Sequence, residues 1–120
     1  MNMAKGETEK RMVEAKVALV NNLALPNDES SVRSYIEHHL VEVDDEYWVT
    51  VFGESKPSIS VVASKMVIHP FWYEEALGGE ADLDRVDFTL PDNEDDAVTN
   101  YLLCVEYSEE GQLEGISMES

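Results

Sequence analysis

Apolar residues recur at helical spacing along the first third of the chain and at every second position along most of the rest. Met12, Ala15, Leu19 and Leu23 form one row at intervals of three and four, and Val13, Val17, Val20 and Ala24 form the row beside it. Two adjacent rows make a broad apolar stripe, which predicts a helix over about 8–24 lying on a core. Glu7 and Glu9 stand near its positive end, where the helix dipole favours acids. Leu25 precedes Pro26 and is pushed away from helical conformation, so the helix stops there. Pro26-Asn27-Asp28 reads as a turn, and Ser30 or Ser31 caps a second helix to about Leu40 with Val32, Tyr35, Ile36 and Leu40 as its stripe.

Beyond Asp44-Asp45-Glu46 the period changes to two. Tyr47-Trp48-Val49-Thr50-Val51-Phe52 is aromatic and β-branched and predicts a strand. Residues 53–58, with Gly and Pro, read as a turn. Residues 59–63 and 66–68 predict a second strand, bulged near Ser64-Lys65 and ended by Pro70. Pro70 to Leu77 is a short helix closed by Gly78. Arg85 to Leu90 alternates, with Val86, Phe88 and Leu90 inward and Arg85, Asp87 and Thr89 outward. Pro91 to Asp96 is an acidic loop, Asn100 to Tyr107 the most hydrophobic strand, and Leu113 to Met118 the last. Ser108 to Gly111 joins those two as a hairpin, with Gly111 left-handed.

Two helices followed by about five strands predict an α+β fold, the two N-terminal helices packed on one face of a mainly antiparallel sheet. The chain of 120 residues reads as one domain, with 1–6 as a flexible N-terminus. The inward positions assign Val13, Val17, Val20, Ile36, Leu40, Val49, Val51, Val61, Phe88, Leu90, Leu103 and Val105 to the core.

Charge changes this picture more than composition does. The formal net charge is −18, from 26 acids and 8 bases. Residues 1–35 hold five of each, whereas residues 36–120 hold 21 acids against Lys56, Lys65 and Arg85. After Arg85 there is no base. Such an excess repels phosphate, which argues against direct nucleic-acid binding, and suits rapid capture of a basic protein. The longest near-apolar run, Val17 to Leu25, falls far short of the roughly 20 residues a membrane span needs. Met1 to Lys10 has no signal-peptide core, so the expected compartment is the cytoplasm.

Recognisable chemistry is scarce. No Gly-rich phosphate loop or Gly-x-Ser-x-Gly turn is present. His38 and His39 point about 100° apart on a helix and do not form the i, i+4 pair that grips zinc; they and His69 read as surface or boundary residues. Asp92-x-Glu94-x-Asp96 opens like a calcium loop, but Ala97 stands where Gly is required and Leu103 where Glu is required. Cys104, the lone cysteine, lies in an apolar run where a thiol is buried and inert. The expectation is therefore no catalytic residues, no metal and no cofactor.

Phe71-Trp72-Tyr73 cannot all face one core, and Glu74 and Glu75 follow directly. An aromatic ring in a charged rim is typical of a binding hot spot. The expected interface comprises Trp72, Tyr73, Glu74, Glu75, Asp82, Asp84, Asp92, Glu94, Asp95 and Asp96, with Trp72 or Tyr73 as apolar anchor. In size, charge and lack of catalytic chemistry the chain resembles the small acidic immunity proteins that bacteria encode beside nuclease toxins, and equally inhibitors that mimic nucleic acid. The alternative is a non-catalytic structural or regulatory subunit whose acidity serves solubility only.

Overall fold

Of the two apolar rows on the first helix, one supplies the fully buried residues and the other is mostly exposed. In the computed structural model, Ala15 and Leu19 are fully buried, while Val13 and Val17 are 66% and 54% exposed. The structure describes residues 3–26, 28–78, 84–91, 99 and 101–119, with side chains from Thr8 onward. Helix α1, Met3–Asn21, begins ahead of the expected start near Thr8. A short 3-10 turn follows at Asn22–Ala24, then α2 at Ser31–Glu42. Ser30 caps α2: its Oγ accepts from the Arg33 amide at 3.1 Å and donates to Asn22 Oδ1 at 2.7 Å. Asn22 Oδ1 also accepts from the Val32 amide at 3.1 Å, so one polar side chain ties the end of α1 to the start of α2.

The next two segments depart from expectation. The stretch expected as the first strand is helix α3, Asp45–Phe52, and most of the second is helix α4, Ile59–Lys65. In α3, Trp48 and Phe52 lie four apart, one above the other, with ring centroids 5.3 Å apart in the core. Asp45 and Glu46 occupy its first turn, and Gly53 closes it at φ +84°. Ser58 caps α4, its Oγ accepting from the Val61 amide at 3.3 Å. Helical geometry also corrects the core: Val49 and Val61, assigned inward on a two-residue period, are exposed, and Trp48, Val62 and Ala63 are buried instead. Val20, Leu40 and Val51 are half-buried against the core.

The remaining elements match the pattern closely. Strand β1 is Val67–Ile68, α5 is Pro70–Leu77, β2 is Arg85–Thr89, β3 is Leu102–Tyr107 and β4 is Leu113–Glu119. Gly111 turns the β3–β4 hairpin at φ +84°, the left-handed geometry expected of it. The described residues form an antiparallel sheet of four strands rather than about five, in the order β1-β2-β3-β4. Phe88 pairs with Leu103, Val86 with Val105, and Val105 with Ile116. These side chains face the helices, and buried residues from α1 to α5 join them in one apolar cluster. The opposite face carries Arg85, Asp87, Cys104, Glu106, Ser117 and Glu119 in the alternate positions. Thr89, expected outward, is buried. The fold is α+β, and none of the described helices is long and apolar enough to cross a membrane.

Candidate protein-binding surface

Helix α5 begins where His69 accepts the Phe71 amide on Nδ1 at 3.2 Å and Pro70 takes the first helical position. Successive helical residues point in different directions, so the three rings separate. Trp72 turns inward and is 6% exposed; its indole N–H donates to the Arg85 carbonyl at 2.6 Å. This corrects the expectation of Trp72 as an anchor: it belongs to the core and pins α5 to the start of β2. Phe71 is 73% exposed and Tyr73 43%, with Glu74 and Glu75 exposed beside them. Asp84 is exposed at the turn entering β2, next to the carbonyl that Trp72 holds. The structure thus places Tyr73, Glu74 and Glu75 on one short helix held against Asp84-Arg85. Asp82, Asp92, Glu94, Asp95 and Asp96 lie outside the described residues.

The open face of the sheet holds a polar cluster that sequence reasoning missed. Arg85 Nε donates to Asp87 Oδ1 at 2.7 Å and its Nη2 lies 2.7 Å from Glu119 Oε2. The same guanidinium lies 3.1 Å from Cys104 Sγ and covers it, so the thiol is fully buried but outside the apolar cluster. Cys104 donates to Glu119 Oε2 at 3.3 Å. Burial pushes the thiol pKa up, and the neighbouring Asp87 and Glu119 carboxylates add to it, against the opposing pull of Arg85. The upward shift comes from burial beneath an ion pair rather than from the apolar surround expected of this position. The alternation that turns Leu103 and Val105 inward was the available signal, because it turns Cys104 outward.

His39, expected at the surface or the boundary, is buried. Its Nδ1 lies 2.6 Å from the Tyr35 carbonyl and its Nε2 2.9 Å from Thr99 Oγ1. A carbonyl only accepts, so Nδ1 carries the proton and Nε2 accepts from the Thr99 hydroxyl. Burial lowers the His39 pKa, opposed by the bond to the Tyr35 carbonyl. The Tyr35 hydroxyl donates to the Tyr101 carbonyl at 2.7 Å, and His38 and His39 pack edge-on to the Tyr101 ring. These contacts clasp residues 99 and 101, just past the acidic segment 92–96, to α2. Among the described residues no three His, Cys, Asp or Glu side chains converge as a metal site.

Two open grooves flank α1, each of about 480 Å³. One runs between the C-terminal half of α1 and β4, lined by Val17, Ala18, Leu25, Tyr107, Leu113 and Ile116, with Glu14 and Glu114 also in its wall. The other lies between α1 and β1, where Lys16 Nζ donates to the Met66 carbonyl. No protein-family model matches the chain, and no curated protein or solved structure matches it either.

Proposed function

We propose that this chain binds a basic protein and masks it, as an immunity protein masks a nuclease-type toxin or a nucleic-acid mimic masks a nucleic-acid-binding protein. The observation that carries the reading is the charge asymmetry, 21 acids against three bases from residue 36 onward, with the exposed rings of Phe71 and Tyr73 set beside Glu74 and Glu75. Long-range attraction speeds encounter, and a ring desolvated at the contact slows dissociation. Binding is the whole activity in this reading: it takes place in the cytoplasm, without catalysis, cofactor or metal, and with neither nucleic acid nor membrane as a direct ligand. In this reading Asp82, Asp92, Glu94, Asp95 and Asp96 belong to the partner-binding set together with Glu74, Glu75 and Asp84.

Surface-plasmon kinetics on the partner recovered by pull-down from the native host test this. Reversing Asp92, Asp95 and Asp96 to Lys cuts the association rate, and the effect shrinks at about 0.5 M salt, where the screening length falls to a few ångströms. Tyr73→Ala raises the dissociation rate instead. If the triple reversal leaves both rates unchanged at every salt concentration, the acids form only a solvated face. The chain is then better read as a non-catalytic structural or regulatory subunit, which the exposed Val13 and Val17 on α1 favour as an assembly surface.

A further inference from the structure

We infer that the free edge of β4, together with the groove between β4 and α1, takes an extended basic segment of the partner as a fifth strand. The inference rests on the reading of the chain as a binder of basic proteins and assigns it a second contact, away from α5.

Strand β4 pairs with β3 on one side, and among the described residues no further strand lies beyond it. At seven residues, Leu113–Glu119, it is the longest strand, whereas the opposite edge, β1, has two. Seven residues offer an edge of roughly 23 Å of outward N–H and C=O groups. Natural edges are commonly blunted by Lys, Pro, extreme shortness or a bulge; β4 has no Lys or Pro, and its one register shift, opposite Glu106 and Tyr107, leaves residues 115–119 regular.

The groove supplies what bare hydrogen bonding lacks. Val17, Leu25 and Leu113 line it and are each about half exposed, so apolar surface is already present in water beside the free edge. A strand laid along β4 projects alternate side chains toward α1, where apolar ones of Val, Ile or Leu type fill the groove. Its other side chains face the same way as Glu119 on the open side of the sheet. Acids also mark both ends of the track. Glu14 and Glu114 stand at the groove, and Asp28 and Glu29 share a smaller depression with Met118 near the C-terminal end of β4. The complementary ligand therefore combines apolar residues that fill the groove with Lys or Arg residues that reach Glu114, Asp28 and Glu29. A second copy of the chain is disfavoured, because each brings a charge of −18 and antiparallel edge-to-edge pairing centred between Ile116 and Ser117 would set Glu114 of each copy against Glu119 of the other.

The test is fluorescence anisotropy at about 0.15 M salt with the labelled peptide Lys-Val-Lys-Val-Lys-Val-Lys-Val, its form N-methylated at alternate amides, and Glu-Val-Glu-Val-Glu-Val-Glu-Val. The first binds and the acidic peptide does not. N-methylation keeps the charge but removes ladder donors, and weakens binding roughly tenfold, the effect of one or two lost hydrogen bonds. Leu113→Lys and Val17→Lys, both at exposed positions, each weaken it about fivefold or more through like-charge repulsion and loss of apolar contact. Glu54→Lys, in the exposed turn between α3 and α4, changes charge outside the track and alters affinity by less than about threefold. Absence of binding overturns the inference. So does equal binding of the N-methylated peptide, or indifference to Leu113→Lys. Sedimentation showing a dimer that Leu113→Lys dissociates also overturns it, assigning the edge to a second copy. In each of these cases docking at Glu74, Glu75 and Asp84 still stands or falls on its own partner kinetics.

Discussion

Replacing Trp72 with Ala separates a core role from a binding role. The indole is 6% exposed, is part of the apolar cluster and bonds the Arg85 carbonyl at 2.6 Å. Truncating a buried tryptophan to Ala costs about 3–5 kcal/mol, from lost transfer energy and the cavity left behind. The orphaned Arg85 carbonyl at the mouth of that cavity pushes the value toward the upper end, because water there replaces the indole N–H only in part. Trp72→Phe keeps a six-membered ring but loses the pyrrole portion and its N–H donor, for about 1–2 kcal/mol. With a urea slope of about 1.5 kcal/mol/M, the Ala variant lowers the unfolding midpoint by about 2–3 M and the Phe variant by about 1 M. Trp48 is the other tryptophan and is fully buried, so its fluorescence reports unfolding in both variants, with circular dichroism as the second probe. A midpoint fall below about 0.5 M for Trp72→Ala, combined with faster dissociation of the partner, would refute this reasoning and return the ring to the binding surface.

Two further perturbations probe the fold. His39 is held neutral by burial, so below about pH 6.5 the unfolded chain binds a proton that the folded chain refuses; stability contributed by this group is complete above that pH and declines as pH falls below it. An NMR titration of the imidazole C–H signals checks this, and a His39 midpoint at or above 6.5 contradicts it. Leu103→Ala should cost about 2–5 kcal/mol, whereas Val49→Ala, on the exposed side of α3, should cost less than about 0.5 kcal/mol by urea titration; equal costs would mean that α3 is turned the wrong way.

Several elements were legible because local chemistry and burial agree there. The alternation of Val86, Phe88 and Leu90, the Gly111 turn, the Ser30 cap and the stop before Pro26 each depend on neighbours within a few residues, and each has the expected form. The excess of acids is a property of composition and needs no fold. Residues 45–52 show where local preference loses. Six aromatic or β-branched side chains in succession favour a strand by propensity, but a strand would divide Trp48 and Phe52 from Tyr47, Val49 and Val51 across two faces. A helix gathers Tyr47, Trp48 and Phe52 onto the core and leaves Val49 and Thr50 in water. Burying all three large rings, where one face of a strand would bury at most two, outweighs a per-residue propensity spread of about 1 kcal/mol. The Asp45-Glu46 first turn and Gly53 were readable helix boundaries, but they carried less weight than the run between them.

For α1, the sequence determined that an apolar stripe exists, and the packing of the helix against α4, α5 and the sheet decided which of two equivalent rows it buries. The candidate surface divides in the same way. Acidity and the Phe71-Trp72-Tyr73 run were visible along the chain, since they need only residue identity. Which ring turns inward, that Arg85 covers Cys104, and that β4 is the last of the described strands and lies beside a groove depend on contacts between residues far apart in sequence. Such contacts are set by the pairing of strands and the angles of helices, and only the folded chain fixes those.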